Sequence, residues 1–468
     1  MANTYLQRTV GTPTNSQKYT YSFWIKRCEL SDGSKEAFLL DAYADGSNRA
    51  KIAFQSGDQL EIWNSHSGSD TFALNPPRKF RDTSNFYHIV LSVDTTQSTA
   101  SDRVKLYVNG VQETSLGSTT YPSVNDANNT INESGTTFSI MAYGANASSD
   151  SYRLSCIMSH IHFIDGTQYQ ASDFGSFDST TGEWKINTSP SVTYGNNGFF
   201  ILKDGNSVTD QSGNSNNFTV GGGTLTNTED CPSNVFATGN PLYFTNSAWT
   251  TSLSNGNNTM TGHTGTNSYP ILASTLAASS GKFYAEFKVT SSSQNYYVGV
   301  ATPEAVSGTA INAHYPNWNN EGGSNANAYS IYGADGFKYV KENGGSTSSS
   351  SYASTTSQND IIGIALDLDN NKLYFHKNGT YFNSGVPTSG STGTGAISVI
   401  NHDYLFFFSD GGGSTDASAT ANFGNGFFGT TAITTNSGNG YAGAEGSSKF
   451  NYQPPTGYSA LSTKGLNQ

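Results

Sequence analysis

The residues that could carry out chemistry are acidic side chains and histidines on strand-like segments. Hydrolysis of a glycosidic bond needs two carboxyl groups a few ångströms apart, and residues two apart in a strand share a face. Glu61 and Glu286 have no acidic residue two positions further on, so we expect both to face solvent from amphipathic strands. His160 and His162 are spaced to share a face and bind a metal ion, although packed or surface histidines give the same pattern. Serine is abundant, so a Ser/His/Asp arrangement stays open, but the sequence favours a non-catalytic protein.

Polar-aromatic segments indicate binding instead. A sugar ring stacks its apolar face on Trp or Tyr, while Asn, Asp and backbone groups bind its hydroxyls. Residues 314–320 have this composition, and a second such segment ends a strand at 63–66. The predicted ligand-binding residues are Tyr315, Asn317, Trp318, Asn319, Trp63, Asn64 and His66. An alternative role for Trp318, which stays open, is to close the end of a sandwich or an inter-subunit seam.

Alternation of apolar and polar residues places these segments on or beside β-strands. Between Lys18 and Lys26, aromatic rings alternate with Thr and Ser at the period of a strand. Similar runs follow at 37–43, 50–54, 59–63, 86–93, 104–108, 137–142 and 156–164. Asn109-Gly110 predicts a type I′ hairpin turn, because both of its central residues need positive φ. About eight such strands predict a β-sandwich, with Phe23 in its core and Trp24 covered by another element.

The pattern resumes after a connector. Residues 169–240 hold short ordered-looking pieces with too many aromatics for a flexible linker. Strand-like runs return at 283–289, 296–300, 361–368, 372–376, 397–400 and 404–408, and Ser346–Ser351 predicts a loop. We predict domains at 1–168 and 241–430, a packed connector at 169–240 and a C-terminal tail at 431–468.

Composition argues against several classes of protein. Charged residues make up 12% and the net charge is −12, and without a cluster of Lys and Arg we expect no nucleic-acid partner. No run approaches the roughly 20 apolar residues of a membrane span, so we expect no membrane insertion. Cys28, Cys156 and Cys231 fit neither a disulfide framework nor a zinc site. With no signal peptide at the start, synthesis in a reducing host cytoplasm is expected.

Two sets of segments resemble known families. Residues 21–26, 86–94 and 104–110 resemble the concanavalin A-like sandwiches of laminin-G and pentraxin type, with Phe86 where those proteins commonly have Trp. Residues 281–287, 297–300, 360–367 and 372–379 resemble the SPRY domain. Both resemblances imply the same fold class, an all-β chain of two tandem concanavalin A-like jelly-roll β-sandwiches joined by a packed irregular connector.

The tandem arrangement also resembles virion proteins of tailed phages, many of them marine. Residues 210–219, 232–238 and 450–458 add to this resemblance. It implies a place on the particle surface, in the tail or on the capsid exterior, with other virion proteins as partners. Fold-level analogy with viral fibres favours a homotrimer.

Calcium is the one cofactor that the resemblance raises. Laminin-G and pentraxin relatives often hold Ca²⁺ with aspartates of rim loops. Asp41, Asp45 and Asp70 qualify by residue type, and residues 367–370 come nearest to a calcium loop. Turn-forming aspartates explain the same residues, so we expect no cofactor.

These observations lead to one expected function and two alternatives. We expect a non-enzymatic, lectin-like tail fibre or receptor-binding component that recognises host surface glycans. A strand starts within about 20 residues of the N-terminus and leaves no obvious anchoring domain, which raises the alternative of a capsid-decorating or head-fibre protein that binds other virion proteins. A polysaccharide depolymerase is the third hypothesis, because β-glucanases share this sandwich, but the E-x-D-x-x-E triplet of those enzymes does not occur.

Overall fold

A computed structural model describes residues 4–31, 33, 36–203, 207–243, 252–262, 270–306, 325–411, 416–434 and 440–467. The chain divides into two compact units, Met1–Asn227 and Thr228–Gln468. Within the described residues, strands dominate and each α-helix is a single turn of four residues. None of these helices has the length and apolar character to cross a membrane. The prediction of an all-β chain is confirmed.

The first unit consists of short strands with two single-turn helices. Its strands are β1 (Tyr5–Thr9), β2 (Lys18–Arg27), β3 (Ala37–Asp45), β4 (Asn48–Phe54), β5 (Leu60–His66), β6 (Ser69–Leu74), β7 (Tyr87–Asp94), β8 (Val104–Val108), β9 (Val111–Gln112), β10 (Thr119–Thr120), β11 (Thr137–Ile140), β12 (Cys156–Asp165), β13 (Gly175–Phe177), β14 (Trp184–Ile186), β15 (Phe199–Ile201) and β16 (Thr219–Gly221). Its helices are α1 (Ala100–Arg103) and α2 (Ala171–Phe174).

Two antiparallel sheets form the first sandwich. In the described residues, the larger sheet has the order β10-β6-β5-β4-β3-β11-β1-β16 and the smaller the order β15-β12-β2-β7-β8-β9. One apolar cluster lies between them, in which Tyr19, Tyr21 and Phe23 of β2 are fully buried. Tyr21 meets Phe138 of the larger sheet with ring centroids 5.9 Å apart. The alternating rings of β2 therefore fill the core, as the sequence predicted.

Residues 166–194, which we call the strap, cover the outer face of the smaller sheet. Ala171 and Phe174 of the strap are buried in an apolar cluster with Val90 and Ile164 of that sheet. The backbone N–H of Tyr169 donates to Thr20 Oγ1 on β2 at 2.8 Å. The connector is thus packed against the first sandwich over this stretch.

A histidine fastens the strap to the sheet. Trp184 Nε1 donates to Nδ1 of His88 at 3.0 Å, so the proton of the neutral imidazole resides on Nε2. Nε2 in turn donates to Ser22 Oγ at 2.9 Å. Trp24 stacks on His88 with centroids 4.5 Å apart and is 4% exposed. Trp24 is therefore buried beside the histidine that holds the strap.

The Asn109-Gly110 turn fits beneath the same tryptophan. Asn109 and Gly110 have φ values of 48° and 80° and join β8 to β9, as a type I′ hairpin requires. A Cβ atom added at Gly110 would overlap the Trp184 indole. The turn residue is therefore glycine for two reasons, its backbone conformation and the close approach of the strap.

The second unit repeats the sandwich plan. Its strands are β17 (Ser252–Ser254), β18 (Thr259–Thr261), β19 (Ile271–Ala273), β20 (Lys282–Val289), β21 (Tyr296–Ala301), β22 (Ala328–Tyr332), β23 (Phe337–Lys341), β24 (Ser348–Ser351), β25 (Ile361–Asp367), β26 (Lys372–Lys377), β27 (Thr380–Tyr381), β28 (Ile397–Ser398), β29 (Leu405–Asp410), β30 (Ala419–Asn422), β31 (Phe427–Phe428), β32 (Thr431–Ala432) and β33 (Ser459–Ala460). Its helices are α3 (Pro303–Val306) and α4 (Thr463–Leu466).

The two sheets of the second unit enclose a second aromatic core. In the described residues, one sheet has the order β17-β18-β30-β20-β25-β26-β27, with β28 beside β26 and β33 beside β20, and the other has the order β19-β29-β21-β22-β23-β24. Phe287, Tyr296, Phe375 and Phe408 are fully buried between them. The loop predicted at Ser346–Ser351 is wrong over β24, because its four serines pair with β23 as an exposed edge strand.

The prediction that Glu286 faces solvent is also wrong. Glu286 is fully buried, because the C-terminal segment lies over the outer face of its sheet. The backbone N–H groups of Asn451 and Tyr452 donate to its carboxylate at 2.9 and 2.7 Å. Asn422 Nδ2 and the Tyr284 hydroxyl donate to it at 3.1 Å each. The alternation of β20 placed Glu286 on the correct face, but the tail covers that face.

Replacing Gly110 with alanine should weaken the attachment of the strap. The strained backbone and the overlap with Trp184 together should lower the free energy of unfolding by about 1–3 kcal/mol, measured by urea unfolding of the full chain. Gly46→Ala is the matched control, because its added methyl group meets no atom within 4 Å and its φ is not positive. Equal midpoints for the two variants would contradict the account of the Asn109-Gly110 turn.

Burial of His88 should make the first unit sensitive to acid. Burial lowers the pKa of His88 from 6.5 to about 3, so the unfolded state binds the proton first and stability is lost as pH falls from about 6.5 towards 3. At pH 5 this loss is on the order of 2 kcal/mol. We expect His88→Phe to lack this part of the pH dependence in urea unfolding at pH 7.5 and 5. Ser22→Ala keeps the imidazole and should keep the slope; equal slopes for His88→Phe and the unmodified chain would refute the assignment.

Candidate functional site

Trp63 lies on the outer face of the larger sheet of the first unit. Leu60 and Ile62 of β5 point into the core, so alternation places Glu61 and Trp63 on the opposite face. Trp63 is half-buried and pairs across the sheet with Lys51 on β4. On its other side it pairs with Ala73 of β6, whose side chain is small. The indole therefore has a charged side chain on one side and a small side chain on the other.

An ion-pair cluster extends from Trp63 across β4. Lys51 Nζ lies 2.5 Å from Glu61 Oε2 and 3.3 Å from Glu36 Oε2. The side chains of Lys51 and Glu61 are only 13% and 18% exposed, so the ion pair holds both charged groups in place beside an aromatic ring. The ammonium group therefore bridges the two carboxylates.

Arg49 continues the cluster towards β3. Its Nε donates to Asp41 Oδ1 at 2.7 Å, and its guanidinium lies 4.9 Å from the Phe38 ring and 4.4 Å from the Tyr143 ring. Burial raises the pKa of the Asp41 carboxyl, and the charge of Arg49 together with the N–H of Gly144 opposes that rise. Arg49 Nη2 is buried and donates to none of the described residues. We call Lys51, Glu61, Trp63, Arg49 and their neighbours on this surface the Trp63 face.

The Trp63 face has the chemistry of a carbohydrate site. An indole offers an apolar surface for a sugar ring, and the charged groups beside it can donate to and accept from hydroxyls. These groups belong to three adjacent strands and are held by ion pairs, so the arrangement exists before a ligand arrives. Sites on strands hold their geometry more accurately than sites on loops.

The other two residues predicted with Trp63 do not join it. Asn64 is fully buried on the opposite side of β5, and its Nδ2 donates to Thr71 Oγ1 and to the Asn128 carbonyl. Its Oδ1 accepts from the N–H of Thr130, so the amide is engaged in holding the neighbouring loop. His66 ends β5 with Nδ1 3.7 Å from Glu133 Oε2. The structure therefore places Trp63 on the open face, Asn64 inside and His66 at the strand end.

The remaining predicted residues, Tyr315, Asn317, Trp318 and Asn319, lie outside the described residues. Val306 and Ala326, which lie near the two ends of this segment, belong to an apolar cluster on the outer face of the β19–β24 sheet. In that cluster, Tyr297 and Tyr332 stack with centroids 4.7 Å apart.

The predicted metal and calcium residues have protein partners. A bulge separates Ser159 from His162 in the pairing of β12 with β2, which breaks the simple alternation of His160 and His162. His162 Nδ1 pairs with the Tyr194 hydroxyl at 2.9 Å. In the second unit, Asp367 pairs with Lys282 at 3.0 Å and accepts from the backbone of Asn370. No group of three or more His, Cys, Asp or Glu side chains in the described parts of the chain is arranged to hold a metal ion.

Two of the three aspartates predicted in the first unit, Asp41 and Asp45, also serve the fold. Asp45 accepts from the N–H groups of Ser47 and Asn48 at 2.7 and 2.9 Å, which caps the β3–β4 turn. Asp41 pairs with Arg49, whereas Asp70 is exposed. These contacts are those of turn-forming and ion-pairing aspartates.

Two histidines lie beside hydroxyl groups, as catalytic histidines do, but each carries its proton on the nitrogen that faces the hydroxyl. The Ser22–His88 pair is close enough for a nucleophile and base, yet His88 Nδ1 accepts from Trp184, so Nε2 carries a proton and cannot take one from Ser22. In the second unit, His376 Nδ1 accepts from the Gly379 N–H and its Nε2 donates to the Tyr284 hydroxyl at 2.6 Å. Both histidines are buried, and both chains of hydrogen bonds fasten covering segments to a sheet.

Comparison with known protein families agrees with the two sandwiches. Residues 1–152 match the family model described as the concanavalin A-like lectin/glucanases superfamily, and residues 282–396 match the SPRY domain model. No curated protein sequence matches the chain. Domains of both kinds are typically binding modules rather than enzymes.

Solved structures with similar parts come from the same two groups. A heptameric SAP-like pentraxin from Limulus polyphemus is 14% identical over 47% of this chain and 90% of its own, with a TM-score of 0.29. Domains LG4-5 of the mouse laminin alpha1 chain are 8% identical over 87% of this chain and 79% of their own, with a TM-score of 0.28. The SPRY domain of human HERC1 is 14% identical over 36% and 91%, with a TM-score of 0.25.

Similarities at this level do not identify a ligand. The family matches and the observed sheets agree with the predicted fold class of two tandem concanavalin A-like β-sandwiches. The N-terminal part of this chain carries a concanavalin A-like, laminin-G-type domain, and its C-terminal part carries a SPRY domain.

Proposed function

We propose that this chain is a non-enzymatic surface protein of a tailed-phage virion that attaches the particle to host surface glycans through the Trp63 face. The observation that carries the proposal is a half-buried indole on an open sheet face, flanked by the fixed ion pair of Lys51 and Glu61. The concanavalin A-like domain that holds it is of a lectin-like type. The resemblance of the tandem to phage virion proteins supports the place on a particle.

A shallow site of this kind suits multivalent attachment. One sugar ring on one indole gives weak binding, because the contact area is small and ligand efficiency has a ceiling. Several copies on one particle raise the apparent affinity by 10²–10⁴ when the geometry allows simultaneous contact. A homotrimer within the virion, in contact with other virion proteins, would supply those copies.

One observation favours the capsid-decorating alternative. Phe177, on the strap hairpin, is 52% exposed and packs edge-on against Trp184 with centroids 4.9 Å apart. An exposed phenyl ring on a rigid hairpin is typical of a protein contact. A decorating or head-fibre protein would use such a contact to bind other virion proteins.

Trp63→Ala should remove glycan binding. We expect purified protein to stain host bacteria and to bind immobilised bacterial surface polysaccharides, and the variant to bind about 30-fold more weakly, since an anchoring Trp contributes on the order of 2 kcal/mol. Far-UV circular dichroism should be unchanged, because the side chain lies outside the core. Phe177→Ala is the matched control, since it removes an exposed ring from the other side of the same unit.

Each other outcome assigns the chain to a different function. Loss on Phe177→Ala with no effect of Trp63→Ala, and saturation of particles that lack the protein, would identify the decorating protein. Release of reducing sugars that stops on Glu61→Gln would identify a depolymerase. Trp318→Ala tests whether residues 314–320 share in the binding, and a loss there with none at Trp63 would move the site to the second unit.

A further inference from the structure

The Trp63 face continues beyond the tryptophan to a second polar group, around Arg49. Arg49 extends from β4 over β3, where it pairs with Asp41 and packs against Tyr143. Its Nε is engaged and its Nη2 is buried, whereas Nη1 donates to none of the described residues and the side chain keeps 18% of its surface exposed. The guanidinium is therefore held in a fixed plane, with Nη1 as the group that can donate to a ligand.

Two tyrosines lie beside this guanidinium. Tyr43 lies on β3 opposite Arg49, and Tyr143 follows β11; their rings meet edge-on with centroids 6.1 Å apart. Both side chains are half-buried. Tyr143 also packs against Tyr152 with centroids 5.1 Å apart, which fixes its ring. The group thus presents a rigid aromatic edge next to the Arg49 donors.

The distance between the two groups sets the size of a ligand. Trp63 is on β5, and the residues that hold the Arg49 guanidinium are on β3 and just after β11. Strands β3 and β5 flank β4, so they are two strand spacings apart, roughly 10 Å. A single sugar ring does not span this distance, whereas two or more linked rings lying across the strands do.

The charges of the face set the type of ligand. Its ion pairs join two cations, Arg49 and Lys51, to three anions, Glu36, Asp41 and Glu61. Both cations are therefore neutralised by the protein, and the cluster has a net charge of −1. A carboxylate or sulfate on the ligand would meet two carboxylates at the surface, whereas uncharged hydroxyl groups can accept from Arg49 and donate to Glu61.

We infer that the Trp63 face binds a neutral oligosaccharide of at least two sugar units, one stacked on Trp63 and a further unit bound at Arg49, Tyr43 and Tyr143. This inference rests on the proposed function and specifies its ligand. It makes Trp63 the anchoring site and Arg49 the site that selects for length. The two sites can be tested separately, because Trp63 and Arg49 can each be substituted without changing the other.

Arg49→Lys tests the second site with the ion pair retained. Lysine keeps a positive charge beside Asp41 but has no second donor edge. The probes are galactose, α-1,4-linked tetragalactose and tetragalacturonate, together with the tetramers of glucose and mannose. We expect a neutral tetramer to bind more tightly than its monomer, Arg49→Lys to weaken the tetramer about tenfold, and binding of the monomer to be unchanged. Tyr143→Phe should weaken the tetramer in the same direction.

Arg78→Lys is the matched control, because Arg78 also pairs through Nε with a carboxylate, Glu113, at 2.7 Å. It should change nothing. An equal loss for monomer and tetramer on Arg49→Lys, tighter binding of tetragalacturonate than of tetragalactose, or no binding of any neutral tetramer would overturn the inference. If Trp63→Ala weakens binding and Arg49→Lys does not, the proposed function stands without the second site; if Trp63→Ala has no effect on a bound glycan, the proposed function itself fails.

Discussion

The hydrogen bond from Trp184 to His88 determines which surface of the first sandwich remains open. A sandwich has two outer faces, and the smaller sheet turns apolar residues such as Val90 and Ile164 outward as well as inward. The strap buries them, and the hydrogen bond from Trp184 to Nδ1 of His88 holds the strap in place. Protonation of His88 would place a hydrogen on Nδ1 and break this bond. Burial, which lowers the pKa of His88 to about 3, keeps the ring neutral at ordinary pH. The larger sheet has polar and charged residues on its outer face and needs no such cover around Trp63.

In the second unit, a buried carboxylate holds the segment that covers the outward-facing aromatic residues. Tyr284 and Tyr374 point outward from their sheet and are buried by Phe450 and Tyr458 of the tail. Glu286 fixes that tail by accepting two of its backbone N–H groups. Burial raises the pKa of Glu286 to about 7, against the effect of these hydrogen bonds. The covering segments of both units lie outside the residues that match the two family models, so each domain depends on chain beyond its family core.

Sequence patterns predicted what depends on neighbouring residues. Alternation in β2 located the core ring Phe23, and Asn109-Gly110 located a hairpin. Patterns could not predict what depends on distant chain. The position of Glu286 was inferred from its own strand, whereas its environment is set by Asn451 and Tyr452, more than 160 residues later. The serine run of β24 gave no apolar signal, because an exposed edge strand needs none.

The candidate site shows the same division. Trp63 was identified because its residue type suits sugar stacking, but Asn64 was grouped with it by proximity in sequence. Adjacent residues of a strand point to opposite faces of the sheet. Because β5 lies between β4 and β6, Trp63 and Asn64 therefore cannot share one site. Neither Arg49 nor Lys51 was predicted as a site residue. Their importance comes from the register of β4 and β5, which places Lys51 directly opposite Trp63.

The position of the Trp63 face also explains why its charges are paired rather than free. Unpaired charges at the centre of a sheet would carry a large desolvation cost once a ligand covered them. Ion pairs that already satisfy Lys51 and Arg49 reduce that cost, because the ligand replaces only the outer water molecules. What remains for recognition is an indole surface and the unused hydrogen-bonding edges of groups held in place by their partners. Such a surface binds weakly but without reorganisation, and that property suits a protein whose strength of attachment comes from the number of its copies.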